Sequence, residues 1–305
     1  MISRLEAAQA RAQLYDLVRF RLTASGYLEV ETPALVPHPG MEPHITAFES
    51  RYRPELGSTA ERALYLHTSP EYAMKRLLAD GFGSVFQICK VFRNGEVARA
   101  HNPEFTMLEF YRSPGTVDEL MDDLEQIVRR AGGQLGCRTL GLSLDGPFER
   151  MTVKEAFRRY ADIDPPEDED AFFKVMLERV EPKLGRERPT FLTEYPASMA
   201  ALARIKPSDP TVSERFELYA GGAELANGFG ELNDAAEQRR RLMAEQAQRR
   251  AAGRPAYALD ERFLEAVGRM PPSAGVAVGL DRLLMVLLGT ERIADVLLFP
   301  AEAEW

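Results

Sequence analysis

Residues 86–112 read FQICKVFRNGEVARAHNPEFTMLEFYR. The runs from Val85 to Phe92 and from Phe105 to Tyr111 are apolar and rich in aromatic and β-branched residues, which predicts two strands joined by a loop. Arginine in such a loop offers a planar fork of donors that matches phosphate oxygens. The residues alone leave two interpretations open, a solvated hairpin loop and a phosphate-binding loop. The polar residues of the loop are Arg93, Asn94, Glu96, Arg99 and His101.

The sequence of this loop and the strand after it resembles motif 2 of the class II aminoacyl-tRNA synthetases, in their lysine-specific branch. The matching residues are F-R-N followed by R-x-H-N-P-E-F-T-M-L-E-x-Y. In that family the strand–loop–strand unit holds ATP. The resemblance implies that Arg93 binds the α-phosphate and that Arg99 approaches the outer phosphates. It also implies that Asn102 lies at the nucleotide and that Tyr111 faces the amino-acid substrate.

The loop departs from the family pattern at one position. Relatives usually read R-N-E here, whereas this chain has Gly95 after Asn94. The carboxylate that usually lies near the adenine is therefore missing, or Glu96 supplies it from the next position. Asn94 and Gly95 still belong to the stretch to which the resemblance assigns ATP binding. The departure affects the adenine contact and not the phosphate contact of Arg93.

Length and composition describe an ordinary globular protein. The chain has 305 residues, of which 45% are hydrophobic and 28% charged, and its net charge is −9. A protein that holds nucleic acid mainly through phosphates usually has a basic excess, so the charge argues against tRNA as a partner. The two cysteines suggest neither a disulfide framework nor a zinc site. With no signal peptide and no apolar run of ~20 residues, we expect a cytoplasmic protein without a membrane partner.

The N-terminal region predicts a helix followed by a strand. Apolar residues over 4–25 recur at helical spacing, Gly26 ends the pattern, and GYLEVETP follows as a short strand closed by Pro33. This order resembles motif 1 of the class II synthetases, whose helix and strand build the dimer interface. The resemblance therefore implies a homodimer.

Residues 64–81, LYLHTSPEYAMKRLLADG, predict a strand and then a helix that begins near Ser69 and Pro70. Glu71 then lies in the first turn, where a carboxylate compensates the helix dipole. The alternative is functional. In lysine-specific relatives a T-S-P-E stretch touches the substrate amino acid, and by that resemblance Ser69, Pro70 and Glu71 bind substrate.

The middle of the chain is less informative. The sequence TVDELMDDLEQIVRRAGG predicts a helix that starts at a capping box and ends at Gly132 and Gly133. We interpret residues 133–190 as a segment inserted into the catalytic domain. Residues 233–252 predict a very polar helix whose arginines lie on a solvated face, because glutamates and alanines are interspersed among them.

Residues 214–234 predict two strands joined at glycines, with Glu224 and Glu231 on the second. On a regular strand this odd spacing puts the two carboxylates on opposite faces, but the A-N-G-F-G interruption can let them converge. Carboxylates near a triphosphate can hold Mg²⁺. The stretch E-L-A-N-G-F-x-E-L-x-D resembles lysyl-tRNA synthetases and their relatives. That resemblance implies that Glu224 and Leu225 contact ATP, and that Glu231 contacts substrate or metal.

SAGVAVGLDRLLMVLLG at 273–289 predicts a glycine-rich strand that runs into an apolar helix. Arg282 near the helix N-terminus is unfavourable unless an anion lies close to it. The pattern resembles motif 3, in which the arginine holds the γ-phosphate. Gly279 then lets the nucleotide approach the backbone closely.

Together the motifs predict an α+β fold, the class II aminoacyl-tRNA synthetase catalytic domain, with an antiparallel β-sheet flanked by helices. Residues 1–305 are expected to form this single domain. Lysyl-tRNA synthetases carry an anticodon-binding domain before motif 1, and the motif 1 helix begins here at about residue 4, so we expect no such domain. The chain then resembles the elongation factor P–lysine ligases. They carry alanine where lysyl-tRNA synthetases carry glycine in motif 3, and this chain has Ala277.

The resemblance implies an ATP-dependent ligase that activates (R)-β-lysine, or lysine, as an aminoacyl-adenylate and transfers it to a lysine of elongation factor P. ATP and Mg²⁺ are the expected cofactors, and Arg93 and Arg282 the expected catalytic residues. The methyl group of Ala277 at the pocket floor would contribute ~1–3 kcal/mol of substrate discrimination. The alternatives are a lysyl-tRNA synthetase-like enzyme that charges tRNA, an amidating paralogue of the asparagine synthetase type, and a non-catalytic regulatory paralogue.

Overall fold

The computed structural model describes residues 2–55, 57 and 59–304. Eight strands form one large mixed sheet, and three short strands form a second sheet beside it. The strands are β1 Leu28–Glu29, β2 Leu35–Val36, β3 Glu49–Tyr52, β4 Arg62–Leu66, β5 Val85–Phe92, β6 Glu104–Arg112, β7 Glu149–Thr152, β8 Thr190–Thr193, β9 Arg215–Ala220, β10 Ala223–Gly230 and β11 Ala274–Gly279.

The large sheet has the order β1-β5-β6-β11-β10-β9-β8-β7, and the small one β2-β4-β3. From β5 to β8 every neighbouring pair is antiparallel, whereas β1 and β7 pair in parallel fashion at the two edges. The helices are α1 Arg4–Ala24, α2 Glu71–Ala79, α3 Val117–Leu135, α4 Val153–Ala161, α5 Glu169–Val175, α6 Ala235–Ala251, α7 Glu261–Val267, α8 Leu280–Leu288 and α9 Ala301–Glu304. The predicted antiparallel sheet with flanking helices is confirmed.

One face of the large sheet packs against α1, α3 and α8 to form the main core. Strand alternation places Val276 and Val278 of β11 in that core, with Leu14 of α1, Leu124 of α3 and Leu284 of α8. The other residues of the same strands face the opposite side. This second face carries the polar side chains of the site.

The hairpin of β5 and β6 forms as predicted. Strands β5 and β6 pair from Val85 with Tyr111 to Phe92 with Glu104. The amide of Arg93 donates to the carbonyl of Pro103 at 2.8 Å, so the loop begins directly at the arginine. The strands therefore fix the position of Arg93 relative to the sheet.

The predicted end of α3 at Gly132 and Gly133 is wrong. The helix continues to Leu135, and Gly136, with φ of 78°, follows it. A Cβ at Gly132 would overlap the side chain of Leu144. This glycine therefore permits close packing of a loop against the helix, and it does not terminate the helix.

The segment between β7 and β8 builds a second, smaller core. Phe157 of α4 stacks on Phe172 of α5 at a centroid distance of 4.9 Å, and both are fully buried. Tyr219 of β9 belongs to the same cluster. Because β8 pairs with β9, this part of the chain extends the large sheet.

The polar helix predicted at 233–252 is confirmed as α6, but the prediction that its arginines are solvated is wrong for Arg249. This side chain is 0% exposed. Its guanidinium donates to the carbonyls of Glu42 and Ile45, both at 2.6 Å, and lies 4.6 Å from the ring centre of Tyr257. The arginine therefore fixes the loop around residues 42–45 to α6.

No helix within the described part of the chain has the length and apolar character needed to cross a bilayer.

Candidate active site

A cavity of about 680 Å³ lies on the polar face of the large sheet. Its floor comes from β6, β10 and β11, and it is covered by residues 42–45, residues 197–202 and α6. Cavities that hold cofactors or small ligands have volumes of ~300–1,000 Å³. The cavity has the size to hold a nucleotide or a comparable ligand.

Arg282 lies in the first turn of α8, at one end of this cavity. Its Nη1 donates to the carbonyl of Glu224 at 3.0 Å and lies 3.5 Å from the Glu224 carboxylate. Its Nη2 is 2.6 Å from Nε2 of His101. Burial and then the charge of Arg282 lower the pKa of His101, and because a guanidinium can only donate, Nε2 accepts the bond.

Arg93 faces the same region of the cavity from the loop between β5 and β6. Its guanidinium lies over the ring of Phe105 at 5.1 Å from the centroid, and 3.8 Å from the Glu96 carboxylate. Its Nε is buried and has no partner among the described residues. Buried donors are nearly always paired, so this one is suited to an anion.

A third arginine, Arg215 of β9, was not predicted. It lines the cavity, donates to Glu217 at 2.7 Å and lies over the ring of Tyr195 at 4.4 Å. Its Nε is also buried, with no partner in the described structure. We call the region around Arg93, Arg215 and Arg282 the arginine end of the cavity.

The backbone at the arginine end leaves room for a ligand. Gly279 lines the cavity with an ordinary φ of −74°, and a Cβ built on it would meet only the Arg282 side chain, at 3.8 Å. Neither backbone strain nor packing within the protein requires glycine here. The open space above Gly279 and the unpaired arginine donors fit a bound polyphosphate.

Away from these arginines, Ser69 and Glu71 line the cavity, and further carboxylates are buried directly behind them. Glu109 of β6 is 2% exposed and accepts hydrogen bonds from Ser69 at 2.6 Å and Tyr111 at 2.5 Å. Burial, and next the charge of Glu71, raises the pKa of Glu109 to about 8. A ligand with an ammonium group would restore the charged form of this carboxylate.

Lys75 joins two further carboxylates beneath this end. Its Nζ lies 2.5 Å from Glu71 and 2.5 Å from Glu231, and both Lys75 and Glu231 are 1% exposed. A Cβ at Gly275 would overlap both Tyr111 and Glu231, so the strand must carry glycine there. We call the region around Glu71, Glu109 and Glu231 the carboxylate end.

Ala277 lies in the floor, between strands that contribute polar groups. It is in register with Glu109 of β6 on one side and with Asn227 of β10 on the other. The Oδ1 atom of Asn227 is buried without a partner among the described residues. The methyl group of Ala277 therefore lines the cavity between these groups.

The family model described as tRNA synthetases class II (D, K and N) matches residues 3–303. The chain belongs to the class II tRNA synthetase family. It is 40% identical to an elongation factor P–(R)-β-lysine ligase of Salmonella arizonae, over 96% of this chain and 94% of the relative. The ligase of the same name from Salmonella paratyphi A is 39% identical with the same coverage. The predicted family and fold are confirmed.

Membership of the class II synthetase family implies the use of ATP and a divalent metal in general terms. The structure brings four of the predicted residues, Arg93, Glu224, Gly279 and Arg282, to the arginine end. Three others meet at the carboxylate end, where Ser69 and Glu71 line the cavity and Tyr111 lies behind Glu109. These two groups come from segments far apart in the sequence.

The predicted metal pair Glu224 and Glu231 needs correction. Strand β10 has a bulge between Glu224 and Ala226, and Leu225 and Ala226 both enter the main core. The bulge, rather than the A-N-G-F-G stretch, turns Glu224 to the cavity face. The two glutamates are nevertheless roughly 20 Å apart along an extended strand, and Glu231 is paired with Lys75. One ion bound at ~2 Å by each ligand cannot be shared by both.

Several predicted residues lie at the edge of the cavity or behind its lining. Asn102 lines the cavity, but its side chain donates to the carbonyl of Glu104 at 2.6 Å and accepts from the amide of Ala301 at 2.9 Å. Leu225 is buried in the core, so only its backbone can reach a nucleotide. Pro70 precedes α2 at its N-cap.

In the motif 2 loop, Asn94 and Gly95 do not line the cavity, whereas Glu96 does. The amide of Asn94 donates to the carbonyl of Thr46 at 2.7 Å, and Gly95 has a φ of +87°. This backbone conformation favours glycine. Arg99, expected near the outer phosphates, is largely exposed and pairs with Glu291.

Sequence reasoning missed part of the site. The missed residues that line or support the cavity are Glu42, Lys75, Glu109, Arg215, Asn227 and Glu245. Glu109 could have been found, because it lies two residues before Tyr111 on the same face of one strand. Glu245 lies on a helix that reads as solvated, so the pattern of that helix contains no signal for it.

Proposed function

We propose that this chain is an ATP-dependent, AMP-forming ligase that activates (R)-β-lysine as an aminoacyl-adenylate and transfers it to a lysine side chain of translation elongation factor P. Two relatives with nearly full coverage are named elongation factor P–(R)-β-lysine ligases. The cavity supports the same class of reaction.

The observation that carries the proposal is the separation of charge inside one cavity. Unpaired arginine donors lie at one end; at the other, Glu71 lines the cavity, and Glu109 and Glu231, whose pKa values are raised, are buried behind the lining. A triphosphate and a molecule with two amino groups are the ligands that match these ends. The junction between the ends, near Ala277, is where the carboxylate of the amino acid would meet the α-phosphorus.

In the activation step a substrate carboxylate oxygen attacks the α-phosphorus of ATP, and the bond to pyrophosphate breaks. No protein nucleophile is required. Arg93 and Arg282 would stabilise the charge that develops on the phosphates, and Glu71 and Glu109 would orient the amino groups. Ser69 and Tyr111 keep Glu109 in place by their hydrogen bonds.

Of the two glutamates predicted to hold Mg²⁺, Glu224 fits the role. It lines the arginine end, and burial, followed by the charge of Glu217, raises its pKa to about 7, as expected of a carboxylate that lacks a full counter-charge. Bound Mg²⁺ would neutralise phosphate charge, with phosphates and water as its other ligands. Among the described residues no group of three or more His, Cys, Asp and Glu side chains forms a metal site.

The test is to incubate the protein with ATP, with either β-lysine or α-lysine, and with either elongation factor P or tRNA. We expect AMP formation and a mass gain on elongation factor P that corresponds to one β-lysyl group. Charged tRNA with no change in the factor would instead favour the lysyl-tRNA synthetase-like alternative. Absence of adenylate with every amino acid would contradict ligase activity altogether.

The proposal includes a cytoplasmic homodimer in which residues 1–305 form one catalytic domain with residues 133–190 inserted. Large apolar side chains on α1, β1 and β2 support the dimer: Phe20 is 71% exposed, and Leu28 and Leu35 are also exposed. Exposed apolar surface of this kind is typical of an interface. Sedimentation of the wild-type protein and of Phe20→Glu would test it, with a shift of the variant toward monomer expected.

A further inference from the structure

The proposed ligase must place one more amino group than an enzyme that only makes the adenylate. β-Lysine brings two amino groups, and the lysine of the acceptor protein brings a third. At the carboxylate end, Glu71 and Glu231 share Lys75, and Glu109 accepts from Ser69 and Tyr111. Two further carboxylates lie in the cover of the same cavity and have no role in the activation step.

The first of these is Glu245, on the side of α6 that faces the cavity. No hydrogen bond or ion pair joins its carboxylate to another described residue. The arginines on the same helix are engaged elsewhere. Arg241 pairs with Glu237 and donates to the carbonyls of Ala201 and Ala203, and Arg249 donates to backbone carbonyls.

The second is Glu42, in the loop that α6 holds over the cavity. Its Oε2 atom is buried, and no described residue donates to it. A Cβ at Gly40 would overlap this oxygen, so the glycine makes room for the carboxylate. An unpaired, buried carboxylate oxygen that lines a cavity is a site for a donor from outside the protein.

The charge of Glu42 acts on Glu245, and the charge of Glu71 acts on both groups. Burial and then the charges of Glu42 and Glu71 raise the pKa of Glu245 to about 8, and burial and then Glu71 raise the pKa of Glu42. Arg241 and Arg249 lower the pKa of Glu245, and Arg93 and Arg249 that of Glu42, but by less than burial raises them, and among the described residues none forms an ion pair with either carboxylate. A carboxyl group whose pKa is near working pH is also suited to accept a proton.

We propose that Glu245, supported by Glu42, receives the ammonium group of the acceptor lysine in the transfer step and takes one of its protons. This inference rests on the proposed ligase function. It assigns the base for the second half-reaction to the cover of the cavity, opposite the floor on which the adenylate forms.

The chemistry balances without a further reactant. Glu245 takes one proton from the ammonium, which leaves a neutral amine. The nitrogen lone pair forms a bond to the carbonyl carbon of the adenylate, and the bond from that carbon to the phosphate oxygen breaks. Its electron pair leaves with AMP, and the second amine proton passes to the released phosphate. The products are the amide on the acceptor lysine and AMP.

The decisive variant is Glu245→Gln, which keeps the shape of the side chain and removes the base. We expect wild-type rates of β-lysine-dependent pyrophosphate exchange, because activation does not use Glu245. Single-turnover transfer from preformed adenylate to elongation factor P should slow by ~10²-fold or more. Glu245→Asp should recover part of the transfer rate, and Glu42→Gln should cause a smaller loss. Glu265→Gln, an exposed carboxylate on α7, is the matched control.

Hydroxylamine provides a second readout. It is neutral near neutral pH and needs no base, so Glu245→Gln should form the hydroxamate from the adenylate as fast as the wild type. Unimpaired transfer to elongation factor P would overturn the inference, and so would a loss of pyrophosphate exchange in Glu245→Gln. A wild-type protein without exchange activity would instead contradict the proposed function, and the two failures are therefore distinguishable.

Discussion

The two ends of the cavity use charge in opposite ways. At the arginine end, Arg93 and Arg215 keep buried donors without partners, and Arg282 lies at a helix N-terminus, where a cation is unfavourable. At the carboxylate end, Lys75 joins Glu71 to Glu231 inside the protein. The arginine end therefore depends on an anionic ligand to complete it, whereas the carboxylate end is partly completed by the protein itself.

The largest effect is expected from Lys75→Met. Removal of this ammonium leaves Glu71 and Glu231 buried without their counter-charge, which should lower the free energy of unfolding by ~3–5 kcal/mol. Lys90→Met is the matched control, because Lys90 is exposed and lies 3.5 Å from an exposed Glu104. The control should cost less than ~1 kcal/mol. Chemical denaturation measures both, and equal losses would contradict the role of Lys75 in completing the carboxylate end.

At the arginine end, Arg282→Ala should leave stability nearly unchanged and reduce catalysis. Loss of a group that stabilises transition-state charge costs ~10²–10³ in rate. Pyrophosphate exchange measures this effect. Arg99→Ala, in the loop between β5 and β6, is the control, since the exposed pair of Arg99 with Glu291 lies away from the cavity. If the control lost as much activity as Arg282→Ala, the arginine end would be wrongly placed.

The carboxylate end should also make stability depend on pH. The pKa of Glu109 is raised from an ordinary 4.5 to about 8, mainly by burial. Between these values the folded protein holds a proton that the unfolded chain has released, so stability falls as pH rises through that interval. Glu109→Gln should remove part of this slope, and Glu104→Gln, on the exposed part of β6, should not. Thermal unfolding as a function of pH measures this slope. If Glu109 did not contribute, the melting temperatures of the wild type and of Glu109→Gln would change with pH in parallel.

The smallest effect concerns the floor between the two ends. Ala277→Gly should raise activity with α-lysine relative to β-lysine by ~10-fold, because one methyl group in a pocket is worth ~1–3 kcal/mol. Ala274→Gly makes the same chemical change on the same strand but on the core face. It should leave the preference unaltered. An unchanged preference in Ala277→Gly would show that the floor of the cavity does not determine the choice between α-lysine and β-lysine.

Local sequence patterns were sufficient for much of the fold. The apolar runs of β5 and β6, the capping box of α3 and the glycine-rich strand β11 are all visible in residues that are close in the chain. The same patterns failed where packing decided. Gly132 lies inside α3 because Leu144 packs against it, and Leu225 bulges into the core and turns Glu224 to the cavity. Neither the contact of Leu144 with Gly132 nor the bulge at Leu225 can be identified from the local spacing of residues.

The sequence by itself determined the elements, the hairpin that presents Arg93, the position of Arg282 at a helix start and the class of protein. Only the tertiary structure decided which charges are compensated, because a carboxylate is neutralised or left free by residues from distant segments. Lys75 of α2 reaches Glu231 beyond β10, while Glu245 on a polar helix faces the cavity without an ion pair to any described residue. Burial and charge compensation arise from the packing of whole elements, and a linear pattern specifies only the face on which each side chain lies.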